Sequence, residues 1–144
     1  MTEKSRAQGF GHEVKARIMI GTYALSAGYY DAYYLRAQQV RGLMVQEFNQ
    51  IFEKYDVIAG PTSPLPAFKL GELKNDPMAL KLLDFCTIPA NMLGGPAISI
   101  NAGLADGLPV GIHFMAPVLA DEKLLQVAYA AEQVLGATVR APFP

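Results

Sequence analysis

Residues 84–100, DFCTIPANMLGGPAISI, hold a single charge, yet they interrupt an apolar run with a Thr, an Asn, two prolines and a Gly-Gly pair. A plain core strand or helix would carry none of these. Proline removes a backbone donor, and paired glycines free the backbone where a regular element needs it fixed. The stretch therefore reads as a bent connection leading into a strand, with Asp84 at its mouth. Whether that bend holds a ligand or merely turns the chain decides what kind of fold surrounds it.

Downstream, AISINAG, LADG and LPVGIHFMA predict two buried strands around a tight connection. DEKLLQVAYAAEQVLG then predicts a helix, with acids in its first turn and Gly136 as its C-cap. Upstream, Asp76 followed by Pro77 is an N-cap and first-turn signature, so MALKLLDF reads as a short helix. DVIAG at 56–60 has strand length, and the three prolines of PTSPLP are expected to stop it. From Tyr29 a long amphipathic helix is expected, with Tyr33, Ala37, Val40, Met44, Phe48 and Ile51 on one face. Residues 13–25 can form another helix, weakened at Gly21.

Helices and strands alternate, so the class is α/β. Residues 1–144 are expected to form one unit, with 1–8 disordered or foreign to the domain. Three strands are few for so many apolar helices, which points to part of a larger layered fold with apolar surface available for self-association.

With 51% hydrophobic and only 17% charged residues, the chain must bury most of its surface or share it. A net charge of −1 supplies no basic footprint for nucleic acid and no polybasic membrane patch. No apolar run reaches the roughly 18 residues of a membrane span, and MTEKSRAQGFGHEVK carries no signal-peptide core. A cytoplasmic location is the resulting expectation. The lone Cys86 rules out a disulfide framework or thiolate cluster, and two histidines without H-E-x-x-H spacing argue against zinc.

Nucleophilic catalysis needs a nucleophile, a base and an oxyanion hole. Ser26, Ser63 and Ser99 lie in no G-x-S-x-G setting, and His12 and His113 fall in no triad pattern, so each reads as structural. Cys86, inside FCTI, reads as a small core residue, and the tyrosines of GYYDAYY as core and helix-face residues. Two charges stand out. Arg17 lies in KARIMIGTYAL, and Asp84 faces the negative end of a helix dipole, which is unfavourable unless a cation or donor compensates. Either residue can be solvated or locally paired. Alternatively, Arg17 grips a carboxylate in a two-donor fork while Asp84 takes an ammonium group, and together they recognise a free amino acid.

EVKARIMIGTYALSAGYYDAYYLRAQQVR, YDVIAGPTSP, DFCTIPANMLGGPAISI and GLPVGIHFMAP resemble the C-terminal part of the amidase signature family. Within that family the likeness is to the glutaminase subunits, the A subunits, of tRNA-dependent amidotransferases. The resemblance implies an α/β/α fold around a large mixed sheet flanked by helices, with the bent segment walling a substrate pocket. It implies that glutamine is the substrate, with Arg17 on its α-carboxylate and Asp84 on its α-ammonium. It further implies a Ser–cis-Ser–Lys triad that releases ammonia for amidating Glu-tRNA(Gln) or Asp-tRNA(Asn). The partner B and C subunits are implied, as are ATP and Mg in the synthetase partner alone.

The Gly/Ser-rich segment and the Lys of that triad do not occur in these 144 residues, and Lys15, Lys54 and Lys81 have no Ser-rich partner loop. Ala16 stands where a second basic residue is common, and Gly95 beside a position more often small and apolar. By itself the chain is therefore expected to bind but not to catalyse, having no catalytic residue and no cofactor or metal of its own. Two alternatives are a non-catalytic binding module derived from an amidase and a portion of an amidase acting on another small amide.

Overall fold

The computed structural model describes residues 2–26 and 28–136. Two compact units divide between Leu43 and Met44. The first contains helix α1 (Thr2–Gly9), helix α2 (His12–Ala24), a π-helical turn (Tyr30–Leu35) and the start of helix α3 (Arg36–Phe52). Thr2–Gly9, within the stretch expected to be disordered or foreign to the domain, is helical. Tyrosines of the GYYDAYY block pair along the chain rather than enter a core. Tyr23 and Tyr29 have ring centroids 4.3 Å apart, and Tyr30 and Tyr34 4.9 Å apart. All four are exposed.

The second unit holds the sheet. Strands β1 (Ile58–Pro61), β2 (Ala97–Ala105) and β3 (Leu108–Met115) lie in the order β1-β3-β2, and both pairings are antiparallel. The β2–β3 hairpin closes on Asp106 and Gly107, whose φ angles are +53° and +78°. An Asp-Gly pair is the usual solution for a two-residue turn that needs two left-handed residues in succession. Pro61 ends β1 rather than lying beyond it, which an edge strand tolerates because one side of it has no partner. A bulge between Asn101 and Gly103 irregularises the other edge, with Gly103 N donating to Asn101 Oδ1 at 2.8 Å.

Alternation along the strands sends two sets of side chains to opposite faces. Ile100 and Phe114 pack with Ala116 against Leu124 and Ala128 of helix α6 (Asp121–Leu135). On the other face Met115 packs with Ala90 and Leu93 of helix α5 (Ile88–Leu93), and Val45, Phe48, Phe52 and Ile58 close around them. Helices therefore cover both faces, as the α/β reading expected. Helix α6 begins with Asp121 and Glu122, ends on a left-handed Gly136, and is tied by Lys123 to Asp56 at 2.5 Å. That bond holds the exposed Asp56 carboxyl below its ordinary range, and solvent screening keeps the pair a weak anchor.

Helix α3 shows one departure. The face turned to the core carries Val45, Phe48 and Phe52, while Ile51 is exposed. The expected stripe ran Met44, Phe48, Ile51. Met44 and Phe48 of that stripe are half-buried, and the inward face continues to Phe52, four residues on from Phe48, rather than to Ile51.

Candidate functional site

The bend of residues 84–100 is built from successive short turns. Helix α4 (Pro77–Leu82) starts on Asp76, whose Oδ1 accepts from Met78 N at 3.1 Å and Ala79 N at 2.9 Å. It ends in tight turns, Asp84 N to Lys81 O at 3.3 Å and Phe85 N to Leu82 O at 3.1 Å. The carbonyl of Asp84 then accepts from Thr87 N and Ile88 N, both at 3.0 Å, and from Thr87 Oγ1 at 3.1 Å. Those bonds start α5, which Pro89 occupies in its first turn and a left-handed Gly94 stops. Thr87, Pro89 and Gly94, which look like interruptions in the sequence, are thus the start and stop of one short helix.

Gly95 and Pro96 carry the chain from α5 into β2. A Cβ on Gly95 would stand 2.6 Å from the carbonyl oxygen of Ala116, and Ala116 N donates to Pro96 O at 3.0 Å. The bend is thereby fastened to the end of β3.

Asp84 is exposed, and among the described residues its carboxylate has no hydrogen-bond or ion-pair partner. Its neighbours line two cavities. Leu83 borders one of about 550 Å³, together with Thr62 and Ser99. Phe85 and Cys86 border one of about 280 Å³ that reaches His113 and Met115. Ser99, His113 and Gly60 are partners in register across the three strands. The segment carrying Asp84 thus lies where the two cavities meet a polar row of the sheet.

Arg17 lies on α2 in the first unit, and Nε donates to Glu13 Oε1 at 2.8 Å. A local ion pair is therefore present, as the simpler reading of this residue allows. Both side chains are 68% exposed, so the pair itself contributes little stability. Nε uses one of the five guanidinium donors, and both Nη groups remain for a second carboxylate. Arg17 and Asp84 belong to different units.

Two groups without a sequence signal come together in the second unit: Thr62 and Ser99, whose hydroxyl oxygens are 2.5 Å apart; His113 is the register partner of Ser99 on the central strand. No motif joins residues so far apart. Burial pushes the His113 imidazole below its ordinary pKa, so it is neutral at pH 7. The unfolded chain, with the higher pKa, then binds more protons below about pH 6.5, and stability falls as pH drops through the folded-state value. Urea melts at pH 7.5 and pH 5 should show this loss, and His113→Gln should reduce it. An equal loss in the variant would locate the effect elsewhere. Among the described residues no cluster of His, Cys, Asp and Glu could hold a metal ion, and no helix is long and apolar enough to cross a membrane.

The amidase family profile matches residues 1–125. The chain belongs to the amidase family. Within it, the chain is 57% identical over 133 residues to the A subunit of glutamyl-tRNA(Gln) amidotransferase from Desulforamulus reducens, covering 92% of this chain and 27% of that protein. The corresponding A subunit of a Synechococcus sp. is 57% identical over 143 residues, covering 99% and 30%. The crystal structure of the Thermotoga maritima A subunit superposes with a TM-score of 0.71 at 45% identity, over 90% of this chain and 29% of that one. Kluyveromyces lactis allophanate hydrolase, named for a different substrate, also reaches 0.71, at 25% identity over 93% and 22%. The chain thus spans less than a third of these relatives.

Proposed function

We propose that this chain is the glutamine-recognising C-terminal portion of a glutaminase subunit, the A subunit of a tRNA-dependent amidotransferase. The observation that carries the reading is its 57% identity to such an A subunit over 92% of its length, against 25% to an allophanate hydrolase. In this reading the Nη pair of Arg17 takes the α-carboxylate of glutamine and Asp84 takes the ammonium. The amide is hydrolysed by a Ser–cis-Ser–Lys triad supplied from outside these residues. The ammonia amidates Glu-tRNA(Gln) or Asp-tRNA(Asn) through the B and C subunits in the cytoplasm, and this chain touches no nucleic acid. The test is a glutaminase subunit reconstituted around this chain and given first glutamine, then free ammonia. Substitution at Arg17 or Asp84 should stop the first route and spare the second.

The exposed apolar side chains support a proposal about assembly. Met19, Ile20, Leu43, Leu65 and Phe85 are all more than half exposed. By itself the chain should self-associate and bind a hydrophobic dye, as light scattering and dye fluorescence would record. A monodisperse monomer that binds no dye would refute it.

A further inference from the structure

We propose that Glu13 is a positioning residue that aims the carboxylate grip of Arg17. The inference rests on the reading of Arg17 as the α-carboxylate partner of glutamine, and its test can fail while that reading stands.

Glu13 and Arg17 stand four residues apart on α2, so one helix carries both on a shared face. Arg17 Nε donates to Glu13 Oε1 at 2.8 Å, the one hydrogen bond Arg17 makes among the described residues. An acid placed four residues before a base along a helix is the favourable order. Glu13 lies in the first turn, where the positive end of the helix dipole favours a carboxylate. Lys15, the nearest lysine, donates instead to the Ala7 carbonyl at 2.7 Å. Glu13 is therefore committed to Arg17.

A guanidinium takes a carboxylate in one of two ways. Side-on, the carboxylate spans Nε and one Nη; end-on, it spans both Nη groups. Glu13 already occupies Nε, and a second carboxylate arriving side-on would meet the first one there. The end-on edge is the open one. Holding Nε also restrains a long side chain that is otherwise 68% exposed, so the fork is set before the ligand arrives. An exposed pair of this kind adds little to folding stability. What it supplies is a direction.

The α-carboxylate of glutamine does not react, so Arg17 holds it alike in the ground and transition states. Loosening such a grip raises KM and leaves kcat unchanged. The experiment measures glutamine hydrolysis by the reconstituted glutaminase subunit. Its competitor is 4-aminobutyramide, which is glutamine without the α-carboxylate. Glu13→Ala should raise KM for glutamine about three- to tenfold, the cost of immobilising one long side chain on binding. The kcat should stay within about twofold, and the inhibition constant of 4-aminobutyramide should not move, because that molecule offers Arg17 nothing to grip. Glu13→Gln keeps an oxygen on Nε and should behave as the wild type, although it loses the charge that the dipole favours. Where Arg17→Lys has already removed Nε, adding Glu13→Ala should change nothing further.

A Glu13→Gln variant as impaired as Glu13→Ala overturns the proposal, since Glu13 would then act by its charge on the helix. So does a loss that falls equally on glutamine and on 4-aminobutyramide. If Arg17→Lys impairs glutamine hydrolysis while Glu13→Ala leaves KM unchanged, the positioning role falls and the reading of Arg17 stands. If Arg17→Lys is silent as well, that reading falls and takes the positioning role with it.

Discussion

Arg17→Lys and Asp84→Asn, placed in a reconstituted glutaminase subunit, are expected to lower kcat/KM for glutamine by roughly 30- to 1000-fold each. Losing a charged hydrogen bond at a desolvated site costs about 2–4 kcal/mol, which sets that range. Arg17→Lys keeps the charge but loses the planar pair of Nη donors that remains when Nε is held by Glu13. Asp84→Asn removes the negative charge from a side chain with no other partner among the described residues. Amidation fed by free ammonia bypasses glutamine and should survive both changes. If both routes fall together, or if the melting temperature drops enough to explain the loss, the two residues are structural. An exposed Arg17 paired to Glu13 would then be a surface ion pair and nothing more.

The second large effect is on stability and sits at Gly95. Any side chain here meets backbone, the carbonyl of Ala116 at 2.6 Å, and the Leu93 side chain at 2.9 Å, where Leu93 is 4% exposed. Neither can move cheaply. The carbonyl belongs to the end of β3 that Pro96 holds, and Leu93 is packed in the core between α5 and the sheet. Gly95→Val should cost about 1–3 kcal/mol or more by overpacking. Gly42 offers the opposite case. It lies inside α3, and a Cβ there meets nothing within 4 Å. Gly42→Ala should stabilise by about 0.5–1 kcal/mol through helix propensity. Urea denaturation of the two variants reads both signs. Equal effects would mean that the contact at Gly95 relaxes without cost.

Local chemistry is legible in the sequence, and long-range chemistry is not. Asp76 and Pro77 announce α4 because a cap and a fixed φ act within one turn. The Asp-Gly pair marks the hairpin because the turn needs both left-handed positions, and Gly136 ends α6 for a similar reason. Helix α5 escapes because six residues show no period, and its proline and glycines read as breaks when they are its termini. The π turn escapes because nothing in YDAYYL distinguishes it from an α turn. Asp84 and Arg17 stand out as charges in apolar surroundings, a contrast visible in one dimension. Ser99, weighed singly as a nucleophile, has no motif, and Thr62 carries no signal at all. Strand order and the missing side chain of Gly111 are what join them.

The order β1-β3-β2 also sets a timetable for synthesis. Among the described residues β1 pairs with β3, which is the last of the three strands to be made. Until residues Leu108–Met115 have emerged, the Ile58–Pro61 segment cannot make this pairing, and the hydrogen-bonding groups it will use must face water or a chaperone. The hairpin, by contrast, closes over two residues and can form as soon as it clears the exit. The central strand of these three therefore arrives last, and β1 is recruited backward onto a surface that did not exist when it was translated.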